Sequence, residues 1–437
     1  MALATDLNDD VLTEILLRLP PKSVLRSHAV CKHWRRAATS DSFLAAYSLR
    51  RPFELILYTE RNCRREQAID RVPLDAAGDD DGVRRRLLDH GYYLRYFGSC
   101  DGLLLFSLSS PRDESLSFVI CNPATRQCAR FPALAPAPCM SVQPSGFYLH
   151  RPSGERRVLC FAKEIPPDMY YDSTRRVYKY HPCAADDDDE PSSVADDDDD
   201  GKGTIRFRPV HYVFSTGAAE PRRLGPFADY RGDHPFPPCG VDVGGTLHWA
   251  RHPWTGKNSS TMLAFDTVSE TFRRMPLPPA AATVPDHLIN LFDKRGTLAL
   301  SAMGEWPYLD IWTLDDYAGE RWSHHVRVEL PAEATAPNYG VRYGEAVAAL
   351  EGDVLVLFAV GGWVTLYDVK EKRTVRVLRR GDDRAKPRWC VYRESLVPAA
   401  IDGLPCWSGG APFVDQFKAE FATNDRLKAE FAAINYS

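Results

Sequence analysis

Three glycines, Gly245, Gly296 and Gly352, stand 51 and 56 residues apart. Each lies in a turn ahead of an apolar run: TLHWA, TLALSA and VLVLFAV. Each run is followed by another that reaches an aspartate, in MLAFD, LDIWTLD and VTLYD, and then by a turn and a last run. CDGLLLFSL followed by FVICNPATRQCARFPAL keeps the same order from residue 100. Runs this short, separated by Gly, Asp and Pro, fit strands of a small antiparallel meander.

The spacing is close to the roughly 50 residues of one propeller blade. A fifth, less regular unit spans Gly146 to Gly225. A sixth forms if PFELILYT (52–59) pairs with WCVYRESLV (389–397). Such a pairing joins the two ends of the β region in one blade and removes free edges. The expectation is one closed β domain over 51–400, a six-bladed β-propeller. A β-sandwich is the alternative, since Gly-turn meanders build other folds too. The fifth unit is interrupted over 184–203 by two acidic blocks, Asp186–Glu190 and Asp196–Asp200. Like charges without apolar residues predict a solvated, disordered insertion. In the tail, 401–437, FKAEFA and LKAEFA recur ten residues apart and predict a partly helical segment.

The N-terminal 50 residues have a different period. Val11, Leu12, Ile15, Leu16 and Leu19 fall on one face of a helix. Asn8 or Asp6 can cap it, and Pro20-Pro21 ends it. A second short helix is expected to carry Val24, Leu25 and Val30, and a third Cys31 and Trp34. Three short helices are too few to bury their own apolar surface well, so they need a partner or the rest of the chain. The whole is an α+β multidomain chain, helical over 1–50 and all-β beyond.

The string LNDDVLTEILLRLPPKSVLRSHAVCKHWRRAATSDSFL resembles an F-box. The matching pieces include Leu7, Asp9-Asp10, Val11-Leu12, Glu14-Ile15-Leu16, Leu19-Pro20, Lys22-Ser23, Val30-Cys31-Lys32 and Trp34-Arg35. Where the family usually starts with Leu-Pro, this chain has Leu7-Asn8, and Asn also starts helices. The repeats resemble the F-box-associated domains of plant F-box proteins, with VYRESLV similar to their closing strand. The resemblance implies a substrate-recognition subunit of a Skp–cullin–F-box ubiquitin ligase. Leu7, Val11, Leu12, Ile15, Leu16, Leu19, Pro20, Pro21, Val24, Leu25, Val30, Cys31 and Trp34 would then hold the Skp-type adaptor, and through it a cullin. The β domain would hold the target protein. Trp249, Arg251 and Trp254 on one loop, Trp306 and Tyr308 on another, and Trp363 on a third are the candidate target contacts, because Trp, Tyr and Arg are enriched at interface hot spots. The alternative for those aromatics is packing between blades.

Other chemistry finds little support. Without the acidic blocks the chain carries about +5 and no basic stripe, which argues against nucleic acid. The longest strongly apolar run, Val354–Val360, is too short for a membrane span of about 20 residues. Eleven scattered cysteines after a polar, acidic start imply reduced thiols in the cytoplasm or nucleus. His28, Cys31 and His33 are close in sequence but point in different directions on short helices, so no metal is expected. His324 and His325 are adjacent on an expected strand and face opposite sides. Neither a nucleophile elbow nor a phosphate loop occurs, and no cofactor is expected. Two alternatives remain: an enzyme or small-molecule binder on a propeller scaffold, and an F-box protein acting outside degradation.

Overall fold

The computed structural model describes residues 8–61, 66–74, 85–90, 94–108, 117–125, 127–130, 139–164, 169–172, 177–180, 208–216, 218, 220–225, 239–250, 260–285, 288–305, 307–329, 344–349, 354–359, 363–378, 388–398 and 406–407. The acidic blocks and the expected C-terminal helix lie outside them.

Caps and breakers set the helical start. Asn8 caps α1 (Asp9–Arg18): its Oδ1 accepts from Asp10 N at 3.2 Å. Asp9 and Asp10 complement the positive end of the helix dipole. Leu19 is extended, Pro20 follows, and Pro21 opens α2 (Pro21–Ser27), where a missing N–H costs nothing. α2 is shorter than expected. Val30 lies in the turn after it, and Cys31 is the extended residue before α3 (Lys32–Thr39). The expectation of three helices is one short. Ser40 accepts from Phe43 N at 3.3 Å and caps α4 (Asp41–Leu49).

Among the described residues beyond Arg51 every element of three or more residues is a strand. β1 (Phe53–Arg61), β2 (Glu66–Pro73) and β3 (Arg85–His90) come first. β4 (Leu94–Cys100), β5 (Leu103–Leu108), β6 (Ser117–Asn122) and β7 (Gln127–Arg130) form the next meander. β8 (Cys139–His150), β9 (Glu155–Glu164), β12 (Arg208–Ser215) and β13 (Arg222–Arg223) form a third, with the hairpin β10 (Met169–Asp172) and β11 (Val177–Tyr180) inserted in it. β14 (Val241–Val243), β15 (Thr246–Trp249), β16 (Thr261–Asp266) and β17 (Thr271–Pro276) form the fourth. The fifth is β18 (Ile289–Lys294), β19 (Thr297–Glu305), β20 (Tyr308–Asp316) and β21 (Arg321–Glu329). The sixth is β22 (Gly344–Ala349), β23 (Val354–Ala359), β24 (Trp363–Asp368) and β25 (Arg373–Leu378). β26 (Arg388–Arg393) returns to the first sheet, and β27 (Cys406–Trp407) adds a fifth strand beside β7.

The first sheet has the order β26-β1-β2-β3, with Phe53 opposite Arg393 and Leu57 opposite Trp389. This is the pairing of chain ends expected above. Inner strands lie side by side around a ring: β26 by β4, β4 by β8, β14 by β18, β18 by β22, and β22 by β26. The step from β8 to β14 is bridged at Ser145 O, which accepts from Gly240 N at 2.7 Å and Trp249 Nε1 at 3.0 Å. The fold is a six-bladed β-propeller behind four helices. Four of the sequence units, those with the turns at Gly102, Gly245, Gly296 and Gly352, lack one strand of this picture, the innermost, which precedes the Gly turn.

The core is divided between neighbouring blades. In β16, Met262 and Ala264 face the fifth blade, packing with Leu298, Leu300 and Trp312. Leu263 and Phe265 face the third, packing with Tyr148, Leu159 and Phe161. Both faces of the middle strands are dry, so their sequences are continuous apolar runs rather than alternations.

Each blade after the first starts innermost and runs outward, and in the first β26 takes the innermost place. Turns between first and second strands, and between third and fourth, therefore share one end of the ring. The helices sit at that end. Leu396, just after β26, is buried among Leu12, Leu16, Leu17, Val24, Ala38, Phe43 and Tyr47 of the helices. Asn122 Nδ2 donates to Ser395 O and Val397 O at 3.0 and 2.7 Å and pins the same segment to the second blade. Gly102 at the β4–β5 turn has φ 73°, and a Cβ there would lie 2.4 Å from Ser395 Cβ. Only glycine meets both demands. Among the described residues no helix is long and apolar enough to cross a membrane.

Candidate functional site

The helical module presents the first candidate surface. The five apolar residues of α1 do not share one environment. Leu12 and Leu16, four apart, point at α3 and α4 and are fully buried. Val11 and Ile15 come one position earlier, rotated by about 100°, and are 47 % and 40 % exposed. The outward contacts expected of Leu12, Leu16 and Val24 are corrected: these side chains are the module's own interior. Leu19, Pro21, Leu25 and Trp34 are half-buried, and Pro20 and Cys31 are exposed. Val30 is 61 % exposed, because the turn after α2 lifts it away from the helices. Leu7 lies outside the described residues. Val11, Ile15 and Val30 are thus large apolar side chains in water on a module whose interior is already closed.

That closure is tied down by polar contacts. Tyr47 Oη donates to Leu19 O at 3.0 Å, across the break between α1 and α2. Arg51 Nη2 donates to Leu17 O at 2.6 Å, and its guanidinium lies 4.3 Å from the Tyr47 ring centroid. Arg50 holds Glu14 with two hydrogen bonds, at 3.0 and 2.6 Å. The Arg50 hydrogen bond keeps the Glu14 carboxyl below its usual range. Beneath the helices, Arg71 bridges Glu54 and Glu394, each at 3.1 Å, with all three side chains largely buried. Phe43, Tyr47 and Leu396 escaped the sequence reading. The cap at Ser40 and the four-residue spacing of Phe43 and Tyr47 signal α4, whereas nothing local marks Leu396.

The second candidate surface is the far end of the ring. The β15–β16, β19–β20 and β23–β24 connections carry the candidate target residues, and all three join second to third strands. They therefore share the end opposite the helices. Trp249 is corrected: it is 2 % exposed, packed with Tyr148, Leu159 and Phe265, and held by its bond to Ser145 O. As the last residue of a second strand it still lies between blades. Tyr308 is half-buried at the start of β20, with the Arg327 guanidinium 5.4 Å from its ring centroid. Trp363 opens β24. Arg251, Trp254 and Trp306 lie outside the described residues.

Buried titratable groups are scattered between blades. Burial lowers His211, which packs against Phe161 and Phe272, to about 3. Burial also lowers His248, whose Nε2 is 2.9 Å from Tyr317 Oη, to about 4. Asp242 is pushed up to about 6 by burial, with the Asp101 charge adding to it. Each serves a turn or a blade contact. His324 binds Asp310 at 2.9 Å, and His33 pairs with Asp9 at 3.2 Å. Among the described residues no three His, Cys, Asp or Glu side chains are placed to hold a metal ion.

Comparison with known proteins adds to this geometry. The F-box domain model matches residues 5–45. An Arabidopsis thaliana F-box/LRR-repeat protein is 25% identical over 380 residues, covering 81% of this chain and 74% of that one. The Arabidopsis F-box protein CPR1 is 24% identical over 348 residues, 76% of this chain and 75% of its own. A further Arabidopsis F-box protein is 31% identical over 139 residues, 32% of this chain and 36% of its own. The match at residues 5–45 falls on the four-helix module, and the longer alignments extend through the propeller. The chain carries an F-box domain at residues 5–45 and is similar over most of its length to plant F-box proteins.

Proposed function

We propose that this chain is the substrate receptor of a Skp–cullin–F-box ubiquitin ligase and has no catalytic site of its own. The observation that carries the reading is the exposed set Val11, Ile15 and Val30 on the F-box module. Apolar side chains of this size, exposed on a closed module, are stabilised by a partner that removes them from water. A Skp-type adaptor is that partner, with Pro20, Leu25, Cys31 and Trp34 at the margin. The adaptor joins the chain to a cullin. The loops at the far end of the ring, those of Arg251, Trp254, Trp306, Tyr308 and Trp363, hold the target. The work divides into residues 1–50 for the adaptor, 51–400 for the target, and 401–437 as a tail, in the cytoplasm or nucleus. Ubiquitin transfer is then a matter of proximity: a target lysine is held near the ubiquitin-carrying enzyme at raised effective concentration.

Co-purification of the full chain with a Skp-type adaptor tests this. Ile15→Asp should weaken binding by roughly 30-fold or more, the scale of a hot-spot loss of about 2 kcal/mol. Its helical and β circular dichroism should not change, because Ile15 is outside the module's interior. An adaptor that binds the variant as well as the parent chain would remove the reading.

A further inference from the structure

We infer that the outer face of α2 and α3 is an electrostatic docking surface for an acidic segment of the adaptor, alongside the apolar patch. The inference rests on the adaptor reading above and adds the partner's chemistry. Lys22 and Arg26 are four apart on α2, and Lys32, Arg35 and Arg36 are spaced zero, three and four on α3. Each set shares one helix face. All five side chains are exposed. The inward positions of α3, Trp34, Ala37 and Ala38, pack against the other helices, so the two faces are cleanly divided.

Nearby carboxylates do not neutralise this face. Among the described residues none of the five cations forms an ion pair, while Arg18 and Arg50 pair with Glu14, and His33 with Asp9. Arg35 uses Nε to donate to His28 O at 3.0 Å, which orients it without cancelling its charge. Asp10 is the remaining acidic group in the first turn of α1. The cations adjoin the apolar patch along the chain, since Val30 and Cys31 directly precede Lys32. An uncompensated cationic face beside exposed apolar anchors fits a partner whose apolar groove is rimmed with carboxylates. Such complementarity acts mainly on the rate of encounter. The chain's own acidic blocks, Asp186–Asp200, are a rival occupant. Their sequence carries the opposite charge to this face, so the experiment below includes their deletion.

Association of the full chain with a purified Skp-type adaptor, followed by stopped flow from about 50 to 300 mM salt, tests the inference. Lys32→Glu with Arg36→Glu should slow association on the order of 10-fold at low salt and flatten its salt dependence, with dissociation changing less. The neutral pair Lys32→Gln with Arg36→Gln should fall between, which guards against a misfolded reversal variant. Unchanged rates and salt slope, with Ile15→Asp still abolishing binding, would overturn the electrostatic face and leave the adaptor reading standing. Failure of Ile15→Asp to weaken binding would instead remove the reading beneath it. If deleting residues 186–200 speeds association of the parent chain but not of the reversal variant, the acidic blocks occupy the face and the inference is overturned.

Discussion

Leu396 belongs by sequence to the end of the propeller and by packing to the F-box. It is 5 % exposed, within the cluster of Leu12, Leu16, Phe43 and Tyr47. Leu396→Ala should cost about 2–4 kcal/mol, the transfer term plus the cavity it leaves. Thermal melting of the full chain reports that cost, and earlier proteolysis at the helix–propeller junction reports where it falls. The buried histidines make a second residue-scale prediction. His211 and His248 are held neutral, at about 3 and 4 against an ordinary 6.5. Below 6.5 the unfolded chain takes up protons that the folded chain refuses, so stability is lost as pH falls from about 7 toward 4. Asp242, at about 6 against 3.8, works the other way and contributes stability over part of that window. Two rings against one carboxylate leave a net loss on acidification. His211→Leu should flatten the fall of the melting midpoint between pH 7 and 4, since one of the two titrations disappears.

The turn between third and fourth strands is the recurring device at the scale of elements. Asp266, Asp316 and Asp368 each accept through Oδ1 from the backbone N–H three residues on, at 2.6, 2.8 and 2.8 Å. The fifth residue of each turn is left-handed: Glu270 at φ 54°, Glu320 at 53°, Lys372 at 50°. Glu270 and Glu320 use that position to reach the preceding blade. Glu270 accepts from Tyr148 Oη and Arg157 Nη1, both at 2.6 Å, and pairs with Arg222 as well. Glu320 accepts from Arg273 Nη1 at 2.6 Å. The geometry repeats but the environment differs: the Glu270 side chain is 8 % exposed, and that of Glu320 32 %. Glu270→Gln should therefore destabilise by about 2 kcal/mol, because it removes a charged acceptor from the largely buried Arg157 guanidinium, which keeps only Glu155 as a carboxylate partner. Glu320→Gln should stay below about 1 kcal/mol. Urea denaturation of the two variants separates them. Outer strands also carry arginines at their exposed edges, such as Arg222, Arg273, Arg321 and Arg373, which oppose edge-to-edge pairing.

The molecule as a whole is a ring closed by its own ends. β26 supplies the innermost strand of the blade that β1 to β3 build from the other end of the sequence. A chain ending at residue 387 lacks that strand and also lacks Leu396. It should lose the single cooperative melt of the parent and bind an apolar dye, since opening the ring exposes inner edges. Closure also sets the geometry of recognition. The F-box lies at the end of the ring that holds the first-to-second turns, and the second-to-third connections lie at the other. Because Leu396, Asn122 and the Glu54–Arg71–Glu394 bridge fix the helices to the ring, the direction from adaptor to target follows from the fold.

Local patterns in the sequence were enough for the period of the blades, the two chain ends in one sheet, and the helices with their caps and proline breaks. These depend on neighbours within about ten residues or on a repeated signal. Among the innermost strands, β14, at three residues, is too short to show a period. The division of α1 was missed for another reason. Five apolar residues on one helix look alike until α3, α4 and Leu396 take Leu12 and Leu16 and leave Val11 and Ile15 in water. Trp249 has the composition of a hot spot, and the third blade makes it core by supplying Ser145 O and a place between Tyr148 and Leu159. Which apolar side chains face a partner is decided by contacts between residues far apart in the chain. Such contacts exist only in the folded chain, where elements distant in sequence meet.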